Sequence, residues 1–203
     1  MPRRQPVATS RRSSRRAPLL DMAASLFSRQ GFAGTSIRDI SRAVHMLPGS
    51  IYCHFDSKEA LFLAVYEEGV RRIAERVHAA ISIGADPWDR LHLACTAHLE
   101  TILDRSDYAQ VVIRVQPHEV PNMAAQLIAL RDGYESLFRD LIEAVEDIAP
   151  ARKRSFRLLL LGAMNWTQHW YQPGGASPAR IADQFLALLR TTHPPQEAAA
   201  HGE

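Results

Sequence analysis

The stretch "GTSIRDISRAVHMLPGSIYCHFDSKEAL", Gly34 to Leu61, decides the fold. Thr35 or Ser36 can cap a helix by accepting a hydrogen bond from an N–H of its first turn. Asp39 lies one turn in, where a carboxylate complements the positive end of a helix. Ile37, Ile40 and Val44 then share one stripe, which predicts a helix over 37–44 with one buried face. A shorter helix over 48–54 starts at Pro48, whose fixed φ suits the first helical position and whose missing N–H is no loss there. Gly49 and Ser50 keep the front of that helix small. Ser57 caps a longer helix from Lys58 that carries Leu61, Phe62, Val65, Val70, Ile73 and Val77 toward Ile83. Two short helices joined by a tight turn form a helix-turn-helix. Its second helix must enter a major groove about 12 Å wide, with small residues at the point of approach and phosphate-binding residues around it.

On the N-terminal side, Leu19, Leu20, Ala23, Leu26 and Phe27 recur at helical spacing and predict a helix over 15–30, stopped by Gly31, a residue that tolerates positive φ. Residues 1–14 are polar and basic and are expected to be a disordered arm. On the C-terminal side five further helices are expected, near 87–104, 107–118, 122–148, 151–171 and 178–191. Pro121, Pro150 and Pro178 open or precede three of them, and a frayed tail covers 194–203. Strand-like alternation is missing, so the fold class is all-α.

Composition agrees with a globular protein. The chain has 203 residues, 46% of them hydrophobic, and a net charge of +2. That charge is uneven: residues 1–60 hold ten Lys and Arg against four Asp and Glu, whereas the rest holds fourteen against eighteen. A basic front meets a polyanion; an acidic rear does not. No apolar run approaches the ~20 residues that cross a bilayer, so no membrane partner is expected. The two cysteines, Cys53 and Cys95, give neither a disulfide framework nor a zinc spacing, and a reducing cytoplasm fits. The histidines His92, His98, His118 and His169 form no metal-ligand spacing, and no nucleophile–base pairing is present. No metal, no cofactor and no enzymatic activity are expected.

The pattern Gly-Ser-Ile-Tyr-x-His-Phe-x-Ser-Lys-Glu-x-Leu, Gly49 to Leu61, with "GFAGTSIRDISRAV" before it, resembles the DNA-binding domain of TetR-type transcriptional regulators; the likeness runs from about Leu19 to Val65. The resemblance implies an N-terminal helix-turn-helix domain (15–57) and a C-terminal helical bundle (58–193) for ligand binding and dimerisation. It implies that Thr35, Ser36 and Arg38 meet the phosphate backbone or bases. Leu47, Pro48, Gly49, Ser50, Tyr52 and His54 belong to the reading segment, and Lys58 holds a phosphate. Two positions depart from the pattern. His45 stands where glycine is usual and must enter the turn at positive φ. Leu47 stands where a small hydroxyl residue is usual and cannot cap the helix, though the Leu47–Pro48 pair suits a thymine methyl. The arginines Arg3, Arg4, Arg11, Arg12, Arg15 and Arg16 either follow the DNA backbone or minor groove, or act as a tail of non-specific attraction.

The rear segment "LLLLGAMNWTQHWYQPGGASPARIADQFLALL" supplies two amphipathic helices. In the TetR class the last two helices pair with those of a second subunit, which implies a homodimer here through Trp170, Ile181, Phe185, Leu188 and Leu189. The Trp-x3-Trp-Tyr-x-Pro-Gly-Gly motif, together with "YAQVVIRVQPHEV", is similar to a subset of the class that senses acyl-CoA thioesters. An acyl chain needs an apolar pocket with few polar anchors. The candidate lining is Val111, Val115, Leu127, Leu130, Tyr134, Phe138, Met164 and Trp166, with Arg114 and Arg131 as cations for phosphate. The function implied is a repressor whose homodimer binds palindromic double-stranded operator DNA and is released by a hydrophobic effector, with an acyl-CoA as candidate. The rival within the class is a multidrug or antibiotic sensor controlling efflux, for which Glu119, Glu135 and Glu143 are the carboxylates. An architectural DNA binder without sequence preference is the reading outside it.

Overall fold

A computed structural model of the chain describes residues 8–115 and 117–191, with side chains from residue 15 to residue 190. Residues 1–7 of the expected arm and the whole expected tail, 194–203, lie outside the described residues, whereas residues 8–14, expected to be disordered, are helical. The chain is all-α: α1 (Ala8–Gly34), α2 (Ile37–Ala43), α3 (Pro48–Tyr52), α4 (Lys58–Ile81), α5 (Pro87–Leu103), α6 (Asp107–Arg114), α7 (Ala124–Glu143), α8 (Pro150–Trp170) and α9 (Pro178–Thr191), with 3₁₀ turns at Pro117–Glu119 and Pro121–Met123 between α6 and α7.

Helix boundaries follow local chemistry. Asp86 caps α5 by accepting the Asp89 N–H at 2.9 Å, and Ser106 caps α6. Pro87, Pro150 and Pro178 occupy first-turn positions, where a proline is favoured. Gly31 interrupts α1 at φ 72, as its tolerance of positive φ predicts. Two boundaries depart from the periodicity. α1 starts at Ala8 rather than at residue 15, because residues 8–14 carry no apolar stripe by which a helix could be seen. α6 ends at Arg114 rather than near 118, with Val115 already in extended conformation.

The chain divides into two compact units, Met1–Arg72 with Arg105–Arg131, and Ile73–Asp104 with Asp132–Glu203. The packing boundary thus lies inside α4, not at Ser57, and α6 packs with the helix-turn-helix. In the first unit Leu19, Phe27, Ile40, Ile51, Leu61, Phe62, Tyr108 and Val111 belong to one buried cluster. Rings of Phe27, Phe32 and Phe62 meet at 5.0–6.1 Å within it. α6 lies so close to α4 that a Cβ added at Gly69 would come within 2.6 Å of Val112 Cγ2 and 3.0 Å of the Tyr108 carbonyl oxygen. α6 is tied to α1 by Ser28 Oγ donating to Asp107 Oδ1 (2.5 Å) and Tyr108 Oη donating to Asp21 Oδ1 (2.9 Å), with the Arg72 guanidinium 4.0 Å from the Tyr108 ring centroid.

In the second unit α5 packs against α8 and α9. Leu91, Leu99, Phe138, Ile142, Phe156, Leu160, Met164 and Ile181 are buried. Trp88 anchors its edge, donating Nε1–H to Asp147 Oδ2 at 3.0 Å and lying beneath the Arg190 guanidinium at 4.1 Å.

Candidate nucleic-acid interface

Both ends of α2 are fixed by local bonds. Ser36 Oγ accepts the Asp39 N–H (3.2 Å), while Asp39 Oδ2 accepts the Ser36 N–H (3.1 Å) and the Ser36 hydroxyl (2.5 Å), a closed capping box. Those bonds, the serine hydroxyl foremost, hold the Asp39 carboxyl below its ordinary value. At the other end the Met46 N–H reaches the Ser41 carbonyl (2.9 Å) and the His45 N–H reaches the Arg42 carbonyl (3.3 Å). This is the bond pair of a Schellman turn, with His45 at the left-handed position where glycine is preferred; its φ is 52.

α3 begins without a side-chain cap. Leu47 precedes it in extended conformation, and Pro48 is its first residue. Ile51 and Phe55 are buried and fasten the helix to the core, while Leu47 is 76% and Tyr52 51% exposed. A Cβ at Gly49 would meet nothing within 4 Å. Nothing inside the chain therefore requires glycine there, and the space in front of α3 is open. Ser36, Arg38, Leu47, Pro48, Gly49 and Tyr52 are exposed, and Ser50 and His54 are half-buried.

Two expected contacts are corrected. Thr35 is 1% exposed, and its hydroxyl donates to the Gly31 carbonyl at 2.9 Å. It braces the end of α1 from inside and has no surface to offer a phosphate. Lys58 Nζ donates to the carbonyls of Phe32 (2.9 Å) and Thr35 (3.1 Å) and sits 4.0 Å from the Phe32 ring centroid. This ammonium ties the Phe32 carbonyl, in the last turn of α1, to the Thr35 carbonyl in the connection to α2. Lys58 closes the α1–α2 corner.

Two further cations belong to this face: Arg42, which the resemblance did not assign, and Arg16, one of the arginines expected along the DNA. Arg42 follows Arg38 by four residues, so the two share one side of α2, and the Arg42 side chain is 82% exposed beside Asp39. The Arg38–Arg42 spacing was legible in the sequence. Arg16 is held by α1 with its guanidinium 5.2 Å from the Phe55 ring centroid, at the C-terminal end of the reading segment.

The residues expected to line one pocket fall in different units. Val111, Arg114, Val115, Leu127, Leu130 and Arg131 belong to the first, where Val111 and Leu127 are buried with the helix-turn-helix core. Arg114 donates Nη1–H to the Ser28 carbonyl at 3.4 Å. Tyr134, Phe138, Met164 and Trp166 belong to the second, where Phe138 and Met164 are fully buried. Trp166 is corrected: it is 61% exposed, stacked on His169 at 3.9 Å, and lines no interior. Ile181, expected at a subunit interface, is also corrected, being buried in the core of its own unit. Trp170 and Leu188 are exposed, and Phe185, half-buried, meets the Trp170 ring at 6.5 Å. Leu158, Leu159 and Trp166 add to the exposed apolar side of α8, a stripe the i, i+7 spacing of Leu159 and Trp166 announces.

Comparison with known proteins agrees with this geometry. Residues 19–65 match the model of bacterial regulatory proteins of the tetR family, and residues 84–192 match the tetracyclin repressor-like C-terminal domain. The HTH-type transcriptional repressor KstR2 of Rhodococcus jostii (strain RHA1) is 30% identical over 193 residues, covering 89% of this chain and 92% of that protein. Among solved structures, superantigen PfiT superposes with a TM-score of 0.76 at 29% identity, over 86% of this chain and 95% of that one. AibR in complex with isovaleryl coenzyme A and operator DNA superposes with a TM-score of 0.71 at 22% identity, over 89% and 99%. The extent of the family match and the whole-length likeness to a repressor settle the classification: the chain is a TetR-type transcriptional repressor, a regulator rather than an enzyme, and belongs to the TetR family.

Proposed function

We propose that two copies of the chain bind a palindromic operator and that a hydrophobic small molecule, with an acyl-CoA thioester as leading candidate, releases them. The observation that carries the DNA half is the exposed front of α3. Leu47, Pro48 and Gly49 project into open space, flanked by Arg38 and Arg42 on α2 and by Tyr52. The dimer reading rests on the exposed apolar face of Leu158, Leu159, Trp166, Trp170 and Leu188, a patch that a solitary soluble domain rarely leaves open. A two-fold dimer sets its reading helices about one DNA turn apart, ~34 Å. Placement in the cytoplasm follows from the operator as partner, and no helix among the described residues is long and apolar enough to cross a membrane.

The effector class is supported by burial. Among the described residues no aspartate or glutamate is buried, and the buried polar side chains of the second unit are His98, Thr101 and Thr167. A cationic drug entering such a core would lie uncompensated, which weighs against the multidrug reading. AibR, whose structure was solved with isovaleryl coenzyme A, illustrates a fold of this kind holding a thioester. α4 and α7 each contribute residues to both units, so they are the natural carriers of an effector-induced population shift.

The test is fluorescence-polarisation titration against DNA from beside the protein's own gene, with and without a panel of acyl-CoAs and free acids. Sequence-selective binding abolished by one thioester is the expected result. Equal affinity for unrelated DNA would overturn the repressor mechanism, and indifference to every acyl-CoA would remove the thioester.

A further inference from the structure

His98 on α5, Tyr134 on α7 and Asn165 on α8 join in one chain of hydrogen bonds inside the second unit. His98 is 3% exposed; its Nδ1 lies 2.6 Å from Tyr134 Oη and its Nε2 3.1 Å from Asn165 Oδ1. The imidazole is stacked along Tyr134 and edge-on to Phe138, each ring centroid 5.8 Å away, so neighbouring rings hold its plane. Burial pushes its pKa down to about 4, and the ring is neutral at physiological pH. Tyr134 is only half-buried and Asn165 is exposed. Both ends of the chain of bonds therefore belong to side chains with surface to spare.

A neutral imidazole carries one N–H and one bare nitrogen. A buried histidine bonded to a carboxylate or main-chain carbonyl is locked in one tautomer, because such a partner only accepts. Here each partner can do both: a phenol donates or accepts, and a carboxamide offers its oxygen or, turned over, its NH₂. Two arrangements thus satisfy both ring nitrogens. In the first, Nε2–H donates to Asn165 Oδ1 and the Tyr134 hydroxyl donates to Nδ1, committing the tyrosine proton inward. In the second, the turned Asn165 amide donates to Nε2, Nδ1–H donates to Tyr134 Oη, and the tyrosine proton is free to be donated elsewhere. Neither state carries a charge; the second leaves the Tyr134 O–H without an acceptor until a ligand supplies one.

We propose that this relay is a neutral tautomer switch read by an uncharged carbonyl group; it rests on the effector-responsive reading above. A ligand C=O that accepts the Tyr134 proton selects the second state. Nε2 gives its proton to water at the exposed Asn165 end, the phenol passes its proton to Nδ1 and takes one back from solvent, so the net change is a proton moved from Nε2 to Nδ1 with no change of charge. The same chemistry names the ligand class. A ketone, ester or thioester oxygen has the required lone pair; an ammonium has none. The output is the amide of Asn165, one residue before Trp166 on the exposed face of α8, so occupancy beside Tyr134 is registered on that helix.

The full-length protein labelled with ¹⁵N reports the switch directly, because the two ring-nitrogen shifts of His98 show which atom carries the proton. The probes are 2-decalone and its hydrocarbon, decalin. Saturation with the ketone is expected to move the proton from Nε2 to Nδ1, and the ketone is expected to bind about tenfold tighter than decalin, one net hydrogen bond. Asn165→Asp, whose carboxylate only accepts, is expected to hold the first tautomer and erase that preference. Tyr134→Phe is expected to erase it too, leaving decalin affinity within about twofold. An unmoved tautomer at ketone saturation, a preference surviving in either variant, or no binding of either probe up to its solubility limit would overturn the switch. Operator binding is measured separately, without probe. Its loss would count against the repressor mechanism alone, whereas intact operator binding with an unmoved tautomer would remove the switch alone.

Discussion

At φ 52, His45 holds a backbone conformation that costs an L-residue roughly 1–2 kcal/mol. The two Schellman bonds at Ser41 and Arg42 are what keep it there. His45→Gly removes the steric cost while adding freedom to the unfolded chain, so a net gain of about 0.5–1 kcal/mol is expected, read as a higher urea midpoint at unchanged slope. Lys58 makes the opposite case. Two of its three ammonium donors go to the Phe32 and Thr35 carbonyls, so Lys58→Met should lower stability by about 1–3 kcal/mol, the cost of leaving those bonds unmade. The slope of log affinity against log salt on operator DNA should stay within one unit of the parent, because no phosphate contact is lost. A clear fall in that slope would return Lys58 to the phosphates. Thr35 and Lys58 mark the limit of reading by motif. A hydroxyl and a cation beside a helix-turn-helix look like DNA ligands until both are seen to donate to main-chain carbonyls around the end of α1.

At the scale of elements, what was legible was whatever carried its own punctuation. The cap of α2, Pro48 at the start of α3, and Pro150 and Pro178 all signal starts from chemistry within a few residues. Ends buried by tertiary packing were not legible. α7 stops at Glu143 although the apolar spacing predicts helix to 148, because Val145 and Ile148 are buried from turns rather than from a helix. Periodicity records burial, not hydrogen bonding. The proposed dimer face was half-legible for the same reason: Ile181 and Leu188 have the same chemistry, yet one is core and the other exposed. Leu159, 62% exposed on α8, is the residue to test. Leu159→Arg is expected to leave helical circular dichroism and melting temperature unchanged, to yield a monomer in sedimentation, and to weaken operator binding by at least about tenfold by loss of bivalency. A dimeric Leu159→Arg protein would place the subunit contact elsewhere. The α4–α6 contact offers a separate check. Gly69→Ala drives a methyl to within 2.6 Å of Val112 and 3.0 Å of the Tyr108 carbonyl, and a loss of about 1–3 kcal/mol by overpacking is expected in a urea melt.

For the whole molecule, acid stability is set by two groups whose windows adjoin. His98, buried and neutral, has its pKa pushed from 6.5 to about 4 by desolvation. Between those values the unfolded chain binds a proton that the folded chain refuses, so stability rises with pH there; it is complete above about pH 6.5 and lost as pH falls toward 4. Glu68 continues the fall. Its bond to Arg71, and then that to Arg72, holds its pKa near 2 against an ordinary 4.5, so the stability it contributes is present above about pH 4.5 and lost between there and 2. The Glu68 contribution is small, because the side chains of Arg71 and Arg72 are half-exposed and solvent screens the pair. The His98 contribution dominates, since a fully buried ring has no solvent to screen it. Urea midpoints recorded from pH 7 to pH 4 should therefore decline steeply in the parent protein. In His98→Gln, which keeps a polar side chain but cannot titrate, the parent and variant curves should converge as pH falls, the variant starting lower at pH 7 for its imperfect bonds to Tyr134 and Asn165. Parallel curves across that range would mean that His98 does not control acid unfolding, and that its neutrality, on which the carbonyl-reading relay depends, is not enforced by the core.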